Sequence, residues 1–395
     1  MSILRTAMPI GAMLLTLSLP RAIGAAPYIP RDGGQVLERL PARNDPVQKA
    51  LAGLRAQLQR EPANLSVATT LAQRYIELAR NDADPRFLGY AQAALAPWWK
   101  QAKPPPGVLL LRAMILQSTH RFPQALADLD LLLRSEPSNS QAWLTRATVL
   151  QVRGEFLQAK KSCVRLYGIA PDLVMRTCLS NLASLSGGAK PAYLMLNTTL
   201  ENSTGADPGV QVWSQTVLAE MAGRIGDAVA AETHFKRALA LGASDPYLLG
   251  SYADFLLDQG RNSEVIALLK DKIRADGLVL RYALAQSASQ APSAAQSIAI
   301  LRDRFEAATL RGDNVHLREQ ARFELQLMKH PKLALQLAQQ NWKVQKEPAD
   351  VRIFLEAAAA AKDRAAARPV LDWLKQTGLE DSALDRLKKS LEAPA

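Results

Sequence analysis

"WLTRATVLQVRGEFLQAKKSC", Trp143 to Cys163, is the stretch whose reading decides the fold. Ala147, Gly154 and Ala159 fall where two short helices would pack closely around a glycine turn, and Cys163 stands where a large apolar residue would be expected. Moved back by 34 residues, the stretch lands on "LLLRAMILQSTHRFPQALADL". Arg146 then falls on Arg112, Ala147 on Ala113, Leu150 on Leu116, Phe156 on Phe122 and Ala159 on Ala125. Pro137 and Pro171, Ala219 and Ala253, Gly226 and Gly260, and Gly154 and Gly188 are also 34 apart. Gly188 to Gly226 is 38, and the excess matches the loop-like "ENSTGADPGV". Agreement at several positions at once marks an internal repeat, which decides the architecture before any single element does.

These residues resemble the tetratricopeptide repeat, whose pattern runs W-x2-L-G-x2-Y, then A-x3-F, then P. Trp143 keeps the tryptophan, while Arg146 and Ala147 replace the Leu-Gly pair. Ala72 to Tyr75 keeps the small-x2-Tyr element, Ala231 to Phe235 keeps A-x3-F, and Cys163 takes the phenylalanine place after Ala159. The resemblance is clear over 65–272. It blurs over 273–395, where "RFELQLMKHPKLALQLAQQNW" and "FLEAAAAAKDRAAARPVLDWL" keep only the helical rhythm. It implies an all-α, right-handed α-solenoid of about nine helix-turn-helix hairpins, because a single hairpin cannot bury its apolar face alone.

The expected hairpins run over 65–100, 106–137, 140–171, 172–203, 210–242, 246–272, 276–311, 313–346 and 349–376. A lone leading helix over 47–60 lies within the segment 26–64, and "DSALDRLKKSLE", with Leu384, Leu387 and Leu391 on one face, closes the stack as a cap. Ala72 to Ala91 spans 19 residues where Ala113 to Ala125 spans 12, and the surplus reads as an enlarged turn at "NDADPRF". Asp-Pro and Glu-Pro pairs recur at the joints, beginning at Asp45, Glu61, Asp84, Glu136, Asp207, Asp245 and Glu347. An Asp can cap a helix whose first residue is a rigid proline. "KPPPG" at 103–107 reads as a stiff joint.

Composition agrees with closely packed helices: 48 % of the 395 residues are hydrophobic, 22 % charged and only 6 % aromatic. Residues 1–25 read as a cleavable signal peptide. Arg5 precedes the uncharged Ala7–Leu19 stretch, and "PRAIGAAP" offers small-residue cleavage after Gly24 or Ala26. That apolar stretch is too short to span a bilayer, and no transmembrane segment is expected after cleavage. The expected location is therefore the periplasm or the exterior. The net charge of +11, or +9 without Arg5 and Arg21, suits weak contact with an anionic envelope surface better than nucleic acid.

The sequence offers little for catalysis. His120, His234, His316 and His330 form no H-E-x-x-H, and His120 and His330, near turns, read as solvated. "SGGAK" at 186–190 lacks the lysine-hydroxyl end of a phosphate loop and occupies an expected turn. No cofactor or metal is expected, and the chain reads as a non-enzyme. Cys163 and Cys178, 15 apart on neighbouring helices, are either a disulfide or two buried thiols.

Repeats of this family imply a partner on the concave face, lined by the first helix of each hairpin. Carried over by position, its candidates are Gln117, Gln151, Trp213, Glu220, Arg224, Tyr247, Asp254 and Asp258. Trp213 and Tyr247 can equally be core, and the charges a solvated face. Arg112 and Arg146 either pair with acids such as Asp128 or Asp130 or point into the groove. The implied function is a non-catalytic interaction or assembly scaffold for a peptide or protein segment in the cell envelope. Two other readings remain: a polysaccharide-cleaving enzyme using Glu220, Asp254 and Asp258, or a structural subunit that self-associates through its ends.

Overall fold

In the opening stretch, Ser140–Val152 and Phe156–Val164 are two helices joined at Gly154, whose φ of +76° reverses the chain. The computed structural model describes residues 32, 45–242, 245–313 and 315–392. It divides into two compact units, Met1–Ala50 and Leu51–Ala395. Apart from residue 32, what is described of the first unit is the start of one helix and the residue before it. The expected signal peptide lies outside the described residues.

The described residues form twenty-one helices. A leading helix, α1 (Pro46–Arg60), precedes a first hairpin of α2 (Leu65–Asn81) and α3 (Arg86–Ala94), with the short α4 (Ala96–Trp99) behind it. Then come α5 (Pro106–Ser118) with α6 (Phe122–Ser135), α7 (Ser140–Val152) with α8 (Phe156–Val164), and α9 (Asp172–Ser184) with α10 (Ala189–Glu201). Next are α11 (Pro208–Arg224) with α12 (Ala228–Ala240) and α13 (Pro246–Asp258) with α14 (Asn262–Leu269). The divergent part continues the rhythm with α15 (Asp276–Ala288) and α16 (Ala294–Leu310), α17 (Leu317–Gln326) and α18 (Pro331–Trp342), and α19 (Pro348–Ala360) and α20 (Arg364–Thr377). The cap is α21 (Ser382–Glu392). The fold is an all-α solenoid of helical hairpins.

Alanine sets the spacing. Ala113, Ala125, Ala142, Ala159, Ala219, Ala231 and Ala253 have no exposed surface, so the helices approach closely enough for Leu129, Leu132, Leu166, Leu196 and Leu218 to fill the grooves. Each fully buried leucine contributes on the order of 2 kcal/mol over leaving it in water.

The joints follow two chemistries. Asp207 and Asp245 accept bonds from the first free amides of α11 and α13, and Glu347 with Asp350 forms a reciprocal capping box on α19. At Glu61-Pro62 and Glu136-Pro137 the acid is not the cap. Asn64 and Asn139 cap α2 and α7, and each glutamate accepts a bond from its asparagine's side chain, at 2.7 and 2.9 Å. The first hairpin also differs from expectation. Its extra length is helical, since α2 runs on to Asn81 and leaves only a short turn before Arg86.

Arg112 and Arg146 resolve in the same way. Arg112 makes a bidentate pair with Asp128 at 2.6 and 2.7 Å and donates to the carbonyls of Trp99 and Gln101. Arg146 bonds Asp130 and, at 2.8 Å each, the Ser162 hydroxyl. Both guanidiniums cross-link a hairpin rather than face the groove.

The sequence did not foretell the second layer of contacts. The α2–α3 turn lies against Pro246, Leu249 and the residues from Asp271 to Leu278, with Arg80 paired to Asp245 at 3.3 Å. The α7–α8 turn lies against Lys346 and Trp373, and Gly187 in the α9–α10 turn lies against Gly378. The Lys346 amide donates to the Val152 carbonyl at 2.8 Å, and Phe156 meets Trp373 edge to face with centroids 5.7 Å apart. Turns of early hairpins thus meet joints about 190 residues further on, so one winding of the solenoid rests on the next.

Candidate functional site

In a curved stack the first helices of successive hairpins face the inner side and can reach one another there. Asp254 and Asp258 lie one turn apart on α13, and their partners identify that side. Asp254 is bonded by Arg281 of α15 and by Arg322 of α17. Asp258 is gripped in bidentate fashion by Arg352 of α19 at 2.6 and 2.8 Å. Side chains from four successive first helices therefore converge. Arg322 continues to Gln326 and Gln326 to Glu356, which also accepts from Arg352 at 2.8 Å.

Arg318 holds Glu319, Glu347 and, at 3.5 Å, Asp350. Burial alone would push these carboxyls up. For Asp254 the two guanidiniums outweigh it and hold the group well below the ordinary range; for Glu319, Arg318 and Arg281 hold it down to about 2. Asp350, only 2 % exposed, goes the other way. Burial raises it to about 6 against the pull of Arg318.

The concave-face positions chosen from sequence separate into three groups. Asp254 and Asp258 lie on the inner face, neutralised by the chain's own arginines. Trp213 is half-buried, and its indole packs against both the cluster around Leu182 and the cluster around Met221. Gln117 is half-buried, Gln151 accepts a bond from Asn181 at 3.1 Å, and Arg224 bonds Ser184 at 2.7 Å while its Nε is buried without a partner.

Glu220 and Tyr247 form the third group. Glu220 accepts a bond from Ser251 at 2.8 Å and engages the Tyr247 phenol. Tyr247 keeps 59 % of its surface open to water. Tyr247 is thus an exposed aromatic side chain beside the Glu220 carboxylate. Among the charged groups that these first helices bring together, Glu220, Asp254, Asp258, Glu319, Glu347, Asp350 and Glu356 outnumber Arg224, Arg281, Arg318, Arg322 and Arg352. In a chain of net charge +11, this group of side chains carries more carboxylates than guanidiniums.

Sequence reasoning missed the inner arginines. Arg318 and Arg352 are 34 apart, so carrying the register into the divergent hairpins would have found them. It also read His120 as solvated. His120 stacks on Phe122, its Nδ1 is buried without a partner, and desolvation takes its pKa down to about 4. His234 is fully inside, with Nδ1 at 2.6 Å from Gln215 and Nε2 at 3.0 Å from Tyr193. His330 is half exposed and bonds Glu324 at 2.8 Å.

Cys163 and Cys178 are joined by a disulfide between α8 and α9, with Cα atoms 5.7 Å apart. Among the described residues no group of three or more His, Cys, Asp and Glu is arranged to hold a metal, and no helix is long and apolar enough to cross a membrane. Of the carboxyl trio Glu220, Asp254 and Asp258, Asp254 is bonded by Arg281 and Arg322, Asp258 by Arg352, and Glu220 by the Ser251 hydroxyl.

No family model matches this chain, and no curated protein does. Among solved structures, it is similar to the hetero-tetramer Cut9–Hcn1 of the APC/C (15 % identity, TM-score 0.37, 79 % of this chain and 52 % of that one). It is also similar to a monomeric mutant of IFIT1 with Gppp-AAAA (14 %, 0.40, 88 % and 86 %) and to yeast Tom70 (15 %, 0.34, 84 % and 62 %). The chain spans about half the length of the Cut9–Hcn1 chain it matches. Likeness at these scores carries no argument about what this chain does.

Proposed function

We propose that the protein is a non-catalytic interaction scaffold whose concave face holds a peptide or protein segment bearing cationic side chains. The observation that carries this reading is the pairing of Tyr247 and Glu220. An open aromatic ring lies beside a carboxylate that no guanidinium among the described residues neutralises, while Asp254, Asp258, Glu319, Glu347 and Glu356 are paired with arginines. An exposed ring on a preformed face gives contact area at little entropic cost, and the acidic excess selects for positive charge. The proposed setting is the cell envelope after export. The signal-like residues 1–25 and the Cys163–Cys178 bond support it, since disulfides persist in oxidising compartments.

A peptide array graded from acidic to basic tests the reading. Wild-type protein should retain the basic peptides, and Tyr247→Ala and Glu220→Gln should each lose them by roughly tenfold or more. Equal retention by wild type and both variants would remove the concave face from the account.

A further inference from the structure

One outward helix face carries basic side chains beside exposed apolar ones. On α8, Ala159, Ser162 and Cys163 are buried, and Cys163 fastens that side to α9. The outward side has Leu157 and Val164 along its centre, two turns apart, 69 % and 52 % exposed. Tyr167, just beyond the helix, is 79 % exposed. By helical spacing, Lys161 and Arg165 flank this apolar line on one side and Lys160 on the other.

On the Lys161–Arg165 side the helix borders a shallow recess of about 390 Å³, lined also by Arg134 and Trp143. The Arg165 guanidinium lies 5.7 Å above the Trp143 ring. The one acid lining the recess, Asp130, is already paired with Arg146. Arg134, Lys160, Lys161 and Arg165 make no ion pair among the described residues.

We propose that this face docks on an anionic lipid bilayer. Leu157, Val164 and Tyr167 enter the boundary between headgroups and acyl chains. The flanking cations meet lipid phosphates, with one headgroup in the recess beside Trp143. An apolar centre between basic flanks is what such an interface rewards on a helix lying in its plane. A soluble polyanion would satisfy the cations and leave Leu157 and Val164 in water. The disulfide presents the face already ordered, so docking costs little conformational entropy. The basic face lies on α8 and the pair Glu220 and Tyr247 on α11 and α13, so docking leaves Tyr247 and Glu220 free.

Co-sedimentation of the full, non-reduced chain with vesicles tests this. The protein should pellet with phosphatidylcholine vesicles containing a third phosphatidylglycerol, and not with phosphatidylcholine alone. Each cation near the surface strengthens partition roughly fivefold, so the triple variant Lys160→Gln, Lys161→Gln, Arg165→Gln should weaken it by about two orders of magnitude. Leu157→Ser with Val164→Ser and Tyr167→Ser should weaken it about tenfold or more at unchanged charge. Both variants should keep the wild-type circular dichroism spectrum. Absence of pelleting, equal pelleting with neutral vesicles, or full binding by the serine variant would overturn the proposal. Full binding by that variant with release by dextran sulfate would identify the face as a polyanion site.

Discussion

The Lys346 amide donates to the Val152 carbonyl at 2.8 Å, and the next turn residue but one, Gly154, has little room for a side chain because Lys346 and Trp373 lie over it. A Cβ there would be 3.2 Å from both, on a backbone with φ +76°. This is where two windings of the solenoid touch.

Gly154→Ala should therefore cost more than the left-handed conformation alone. Gly226 has a similar φ of +86° with open space around it, so Gly226→Ala serves as the reference. The conformational part is about 1 kcal/mol in both, and close packing at the seam should add about 1 more at Gly154. Urea unfolding measures the difference. Equal losses at the two glycines would mean that the seam yields freely.

Removing both sulfurs with Cys163→Ala and Cys178→Ala should lower stability by about 3 kcal/mol, the value for closing a loop of this size in the chain-entropy model. Intact-mass measurement after denaturing alkylation checks the bond itself. Wild type should take up no label without reductant and two labels with it.

His234 gives a pH dependence of defined sign. Burial takes its folded pKa down to about 4, below the ordinary value near 6.5. Above pH 6.5 the imidazole is neutral in both states and costs nothing. As pH falls from 6.5 towards 4 the unfolded chain takes up the proton first, and stability drops. Asp350, raised to about 6, adds stability over part of the same range, so the His234 contribution is read as a difference. Wild type should lose stability relative to His234→Gln between pH 6.5 and 4. Parallel profiles would show that His234 does not titrate in this way.

Trp213 and Tyr247, both aromatic and both 34-register neighbours, should separate on truncation. Trp213→Ala removes packing from two core clusters and should cost about 3 kcal/mol. Tyr247→Ala, with more than half its surface in water, should change stability by less than about 1 kcal/mol. Calorimetry on the two variants distinguishes the open ring from the packed one.

Much of the fold was legible because its signals are local. Gly154, Gly226 and Gly260 hold the left-handed turn positions that the register assigned them. The same conformation falls on His120, 34 residues before Gly154, and on Gln290, Lys329 and Lys362, where no glycine announces it. At the fourth hairpin the turn is made by Gly187, one residue before the in-register Gly188. A one-residue slip of this kind depends on how the helix ends, which the repeat pattern does not specify.

The 34-residue recurrence by itself determined the helices, their pairing and the order of their stacking, because each hairpin packs mainly on its neighbours and those contacts are close in sequence. How sharply that stack curves follows from small tilts at every joint, and no single residue encodes it. Only the tertiary structure decided that Asp254 meets Arg322 and Asp258 meets Arg352, since those partners lie 68 and 94 residues away. It packed Trp213 against two clusters and left Tyr247 open. It also placed Gly154, read first as a simple turn, where Lys346 and Trp373 close one winding against the next.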